Sequence, residues 1–242
     1  MKKLDREYEY TLSLSSYFPH SEAAFYDVLK CKTLKDLIFP ARSPVSSWEK
    51  FINISSINDV KSRDLIGEQS SSSDFCLYLY GDSGVDLVIR VIVESILGSS
   101  NLVIKFCKQE NAFHSLGVEL IENLLSELVP VFRPYYASAY SKTTGSTYLP
   151  SGQPKYFMDK LSKRHYPLHV CWVSYFGIDM LDFLGVERFD RLETHYKKYE
   201  LFQGILVVLQ KDSPLVNISS YQKRRDQAEM ELGFLELLNG KL

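Results

Sequence analysis

Phe75-Cys76-Leu77-Tyr78-Leu79-Tyr80, Val85 to Val93 and Leu102 to Cys107 are three apolar runs separated by Gly81-Asp82-Ser83-Gly84 and Gly98-Ser99-Ser100-Asn101. Linkers this short suit hairpins and fall well below what a parallel crossover needs, so the runs predict an antiparallel meander. Upstream, Tyr8 to Leu14 alternates large and polar side chains, the pattern of a half-buried strand. Pro19-His20-Ser21 breaks it, and Ser21 is placed to cap a helix through Phe25, Val28 and Leu29. Between Phe39 and Ser73, two prolines and clustered serines predict mostly loop, with short elements around Trp48 to Ile54.

Downstream, Leu116, Leu120, Ile121, Leu124, Leu125 and Leu128 recur at helical spacing, and Pro130 is expected to end that helix. Tyr135 to Tyr140 reads as a strand, Thr143 to Pro154 as a loop, and Lys155 to Arg164 as a short basic helix. Leu168 to Phe176 is the most continuously apolar run, which predicts a central strand. Gly177 then opens a helix through Met180, Leu181 and Leu184 that stops at Gly185. Tyr196 to Phe202 and Ile205 to Gln210 flank Gln203-Gly204, a closing hairpin. A terminal helix follows, with Ser219 and Gln222 as a capping box, Arg225 and Glu229 at i,i+4, and Ala228, Leu232 and Leu235 facing inward.

This order predicts an α+β fold, a mainly antiparallel sheet with helices packed on one face. Residues 1–242 are expected to form one such domain, with a two-lobed arrangement divided near 130–150 as the alternative; no internal repeat is visible.

A composition of 45% hydrophobic and 13% aromatic residues supplies a core and excludes wholesale disorder. The net charge of −2 lacks the basic excess of a nucleic-acid binder. Met1 to Glu9 has no apolar stretch behind its lysines, and no run approaches the ~20 apolar residues of a membrane span. Cys31, Cys76, Cys107 and Cys171 form no C-x-x-C pair and have no histidine at ligand spacing. Reduced core thiols in a cytoplasmic protein, with no metal and no cofactor, are the expectation.

The chemistry-bearing patterns read the same way. Gly81-Asp82-Ser83-Gly84 resembles a serine-protease nucleophile stretch, but His20 is the sole upstream histidine and the tetrapeptide falls at a hairpin turn. The G-x-S-x-G elbow, the phosphate-binding G-x-x-x-x-G-K-S/T loop, the H-E-x-x-H helix and the E-x-K doublet of metal-dependent nucleases are absent, and Asp86, Glu94 and Lys105 do not reproduce the last. Pro167 between His165 and His169 forbids a helix carrying both, so they read as structural. Lys197-Lys198 and Lys223-Arg224-Arg225 read as solvated faces. No enzyme is expected. Residues 59–132 carry eleven acidic and five basic side chains. Within that stretch, Asp82, Asp86, Glu110, Glu119, Glu122 and Glu127 form the candidate set for opposing a basic partner surface, against the plainer reading of a solvated acidic face.

The strand His169-Val170-Cys171-Trp172-Val173-Ser174-Tyr175-Phe176-Gly177, followed by Phe183-Leu184-Gly185, then Gly204-Ile205-Leu206-Val207-Val208-Leu209-Gln210 and the terminal helix, resembles a bacterial pattern. It is that of immunity proteins of polymorphic-toxin and type VI secretion systems, particularly the immunity protein 52 family and the related type VI immunity family. Cys171 stands where those families commonly have Gly, and the first ~130 residues contribute no matching motif. The resemblance implies a cytoplasmic protein of bacterial competition that binds and blocks a cognate toxin or effector without catalysis, with Trp172 and Tyr175 defining the core. Competing expectations are an adaptor or small-ligand module of a defence or secretion-associated complex, with Arg133-Pro134-Tyr135-Tyr136 lining a pocket, and a hydrolase using Ser83.

Overall fold

The computed structural model describes residues 8–17, 27–38, 72–80, 86–94, 99–107, 117–141, 155–159 and 164–239. It contains two compact units, Met1–Pro134 and Tyr135–Leu242. The first holds β1 (Tyr8–Ser16), α1 (Lys32–Ile38), β2 (Ser72–Tyr80), β3 (Asp86–Glu94), β4 (Ser99–Cys107) and α2 (Val118–Phe132). Its strands lie in the order β2-β3-β4-β1 and every pairing is antiparallel, with Phe75 opposite Val91, Leu87 opposite Phe106 and Leu12 opposite Ile104. The meander forms because its strand ends, Tyr80 with Asp86 and Glu94 with Ser99, stand close enough for short turns. The tetrapeptide 81–84, the helix start at Ser21 and Phe25 and the elements around Trp48 to Ile54 lie outside the described residues.

Alternation decides the packing of this unit. Tyr10, Leu12 and Leu14 on β1 and Leu102, Ile104 and Phe106 on β4 are buried, and α2 buries Ile121, Leu124, Leu125 and Leu128 on one stripe. Each fully buried side chain of this size contributes about 1.5–3 kcal/mol. Pro130 does not end α2 as its chemistry suggests; the helix runs on to Phe132. Proline forfeits one amide bond near the exposed end, while Val129 and Phe132 on the same turn are fully buried and hold it in helical form. Termination comes instead at Arg133, left-handed at φ 46°, whose amide donates to the Val129 carbonyl.

The second unit holds β5 (Tyr136–Ser141), β6 (Tyr156–Met158), β7 (His165–Pro167), β8 (Val173–Phe176), α3 (Ile178–Leu184), α4 (Val186–Asp190), β9 (Lys197–Leu201), β10 (Gly204–Val208), α5 (Ile218–Glu231) and α6 (Phe234–Leu238). Its sheet runs β5-β8-β10-β9, antiparallel throughout, and β6 pairs with β7 as a separate ribbon. The chain is thus α+β with antiparallel sheets. Among the described residues, no helix is long and apolar enough to cross a membrane.

Five expectations are corrected here. The central strand is half as long as its apolar run, because the Val170 amide donates to Glu229 and the Cys171 amide to the Ser174 hydroxyl, so these amides leave the ladder. The described part of Lys155 to Arg164 is strand β6 rather than helix. Asn217, not Ser219, caps α5, accepting from the Ser220 amide. Arg225 pairs with neighbouring Asp226, and Glu229 is taken by Lys155, so the i,i+4 pair does not form. Ala228 and Leu232 are buried as expected, but Leu235 is 44% exposed.

Candidate interaction surface

The candidate site grows from one buried pair of charges. Lys155 and Glu229 are 7% and 3% exposed, and the lysine ammonium meets the carboxylate at 2.7 Å. The other carboxylate oxygen accepts the Val170 amide at 3.1 Å. Burial pushes the Glu229 carboxyl above its ordinary range, and the Lys155 charge and hydrogen bonds oppose that push. An uncompensated buried charge costs several kcal/mol, so the pair ties α5 firmly to residue 155.

Residue 155 is also where the ribbon begins. Tyr156, Phe157 and Met158 of β6 face Pro167, Tyr166 and His165 of β7 in turn. The Leu168 amide donates to the Lys155 carbonyl at the base, and the Asp159 amide to the Arg164 carbonyl at the other end. Arg164 is held to Asp179, in the first turn of α3, at 2.7 Å.

The two faces of the ribbon differ. Phe157 and Tyr166 lean on Phe183 of α3, with ring centroids 5.1 and 4.1 Å apart. On the opposite face Tyr156 stacks on His165 at 4.9 Å with planes 3° apart, and both, with Met158, are exposed. α6 lies beside β6 and adds exposed Leu235. Aromatic and methionine side chains presented on a fixed support are the composition of a protein-binding surface rather than of a catalytic cleft.

Behind the ribbon lies a buried polar cluster. The Tyr136 hydroxyl donates to the His169 carbonyl at 2.9 Å. Burial pushes the Cys171 thiol up to about 12, with Glu229 adding to it, and draws His169 down to about 4. His169 Nδ1 and the Tyr221 hydroxyl are buried with no hydrogen-bond partner among the described residues. A buried thiol held protonated is poorly suited to nucleophilic work. Tyr136 is core, so it lines no open pocket. Among the described residues, no group of three or more His, Cys, Asp or Glu is placed to hold a metal.

The carboxylates expected to face a partner scatter. Asp82 and Glu110 lie outside the described residues, and Asp86 opens β3 opposite Tyr80. Glu119, Glu122 and Glu127 share α2. Glu119 is exposed in its first turn and Glu122 is buried. Glu127 accepts the Lys32 and Thr33 amides at 2.6 and 3.3 Å and the Thr33 hydroxyl at 2.5 Å, which clamps the start of α1. Burial raises its carboxyl, but hydrogen bonds from Cys31, Thr33 and Lys32 outweigh that and draw it down. Sequence reasoning missed the ribbon, whose aromatic residues sit in a stretch read as basic helix. Tyr156, Phe157 and Met158 are all large and apolar, so no period-2 alternation marked the strand.

No family model matches the chain, and no curated protein does. A solved structure similar to it is a T6SS protein of Pseudomonas aeruginosa. The two are 11% identical with a TM-score of 0.49, covering 99% of this chain and 87% of the other.

Proposed function

We propose that this protein is a non-catalytic binding protein of the immunity type, which neutralises a cognate bacterial toxin or effector in the cytoplasm by holding it in a protein complex. The observation that supports this most is the anchored ribbon, an exposed aromatic and methionine face fixed at its base by a buried ion pair. Such rigid presentation lowers the ordering cost of association. The C-terminal order behind the resemblance to immunity families also fits: Trp172 and Tyr175 are buried, Gly185 closes α3, and β10 pairs with β8 ahead of α5. Those aromatic residues define the core, so contact with a toxin belongs to the ribbon and to exposed acidic positions such as Glu119.

The test is co-expression with the product of the neighbouring open reading frame, scoring growth rescue and co-purification. Wild type is expected to rescue and to form a stoichiometric complex, and Tyr156→Asp with Met158→Asp to lose both while melting as wild type does. A harmless neighbour that does not co-purify sinks the immunity reading. Full rescue by the folded double variant moves the contact to the acidic set, where charge reversal at Asp82 and Asp86 is the next measurement.

One further observation favours a small-ligand reading. A cleft of about 320 Å³ opens among Tyr196, Lys211, Asn217, Ser220 and Arg224. A ligand-induced rise in melting temperature without any protein partner would support it.

A further inference from the structure

β9 stands at the end of the second unit's sheet, with β10 on one side and no strand on the other among the described residues. Leu201 and Gly204 close the hairpin across Phe202 and Gln203, and such a closing pair is hydrogen-bonded. Bonding then alternates, so Lys197, Tyr199 and Leu201 turn their main chain to β10. The Leu209 amide donates to Trp172, which fixes the same alternation on β10's other side. The amides and carbonyls of Lys198 and Glu200 therefore point out of the sheet.

We infer that this edge pairs with the same edge of a second copy of the chain, antiparallel and centred on Tyr199, continuing the sheet from one copy into the other across a two-fold axis. Only outward-facing residues can exchange main-chain bonds, and they form three short registers. Centring on Lys198 or on Glu200 sets a like charge against its own copy. Centring on Tyr199 sets Lys198 against Glu200 twice, forms four main-chain hydrogen bonds and brings two Tyr199 rings together. The side chains are disposed for this. The Lys198 ammonium donates to the Phe189, Asp190 and Leu192 carbonyls at 2.6, 3.4 and 3.2 Å, so its donors are met by dipoles and its charge is not neutralised by a carboxylate. Glu200 is exposed and has no ion-pair partner among the described residues. Tyr196, Tyr199 and Phe202 are 44%, 39% and 51% exposed, and the register carries Tyr196 of one copy to Phe202 of the other.

Lysines and bulges commonly protect a free edge, and the Tyr196 amide does make an irregular bond to the Val208 carbonyl. Here, however, Lys198 is drawn back onto α4 and does not guard the main chain. Five residues make a modest interface, so the dimer is concentration-dependent. This inference uses none of the ribbon residues and stands apart from toxin binding.

Sedimentation equilibrium of the full chain over a wide concentration range tests it. Wild type is expected to shift from monomer to dimer. Glu200→Lys should weaken dimerisation about tenfold or more by setting lysine against lysine. Lys198→Glu should do likewise, and an equimolar mixture of the two variants should recover a heterodimer. Glu200→Pro, which removes an outward amide and spares the ladder to β10, provides a charge-independent variant whose fold is checked by circular dichroism. A wild type that stays monomeric throughout overturns the inference, as does a dimer untouched by Glu200→Lys and Glu200→Pro.

Discussion

Lys155 and Glu229 show how much one pair of side chains can decide. Lys155→Met leaves the Glu229 carboxylate buried without its counterion, and a loss of about 3–5 kcal/mol is expected by urea unfolding. Adding Glu229→Gln should return much of it, because no charge then remains buried and the amide oxygen still accepts from Val170. Strictly additive losses would count against the anchoring role. The thiols give a second residue-scale expectation. Burial pushes both Cys31 and Cys171 up to about 12, with Glu127 and Glu229 respectively adding to it. Neither should take up iodoacetamide in the native protein at pH 8, and both should in denaturant, as peptide mass spectrometry would report. Native labelling of either would contradict its burial.

At the scale of elements, the β9–β10 hairpin carries an opposed pair of backbone constraints. A Cβ at Gly204 would meet the Phe176 carbonyl and, at 2.6 Å, the Tyr175 ring, so Gly204→Ala should destabilise by about 1–3 kcal/mol. Phe202 sits at φ 54°, where glycine is at ease, so Phe202→Gly should stabilise the isolated hairpin's host by about 1 kcal/mol. Thermal melts at one protein concentration check both signs. Elements set by neighbouring residues were legible in the sequence: the meander, the Gly177-to-Gly185 helix and this hairpin. Those decided by distant partners were not. Glu229 claims the Val170 amide from 59 residues away and shortens a strand that its own apolar run would extend. β6 needs β7 to exist, and no local pattern in Lys155 to Arg164 names that partner. Within the acidic set, helical phase turns Glu119 outward and Glu122 inward, a distinction that charge counting along the sequence does not make.

Across the whole molecule, one device appears in each unit: a helix glutamate that clamps a residue–threonine pair. Glu231 accepts the Glu193 and Thr194 amides at 2.9 Å and the Thr194 hydroxyl at 2.5 Å, as Glu127 does for Lys32 and Thr33. Burial raises the Glu231 carboxyl, but these bonds outweigh it and hold it at about 2. Both glutamates are depressed, so their contribution is present above about 4.5 and is lost as pH falls through their folded values. His169, drawn from 6.5 to about 4 by burial, adds an earlier loss between those values, worth up to about 3 kcal/mol. Glu229, raised instead, runs the other way. Stability is therefore expected to decline from pH 6.5 downward in two stages, and His169→Gln should erase the first while Glu231→Gln flattens the second. A pH-independent plateau from 6.5 to 4 in wild-type urea midpoints would refute the assignment to His169.

The ion pair that roots the ribbon also sets an order of events during synthesis. Tyr156 to Pro167 leave the ribosome long before Glu229, so the aromatic face is made early and must wait for α5 before it is fixed. Until then the nascent chain carries a lysine with no counterion and a Val170 amide with no acceptor, and the ribbon has no rigid base on which to present itself. The rigid, rooted aromatic face is consequently among the last features the chain acquires.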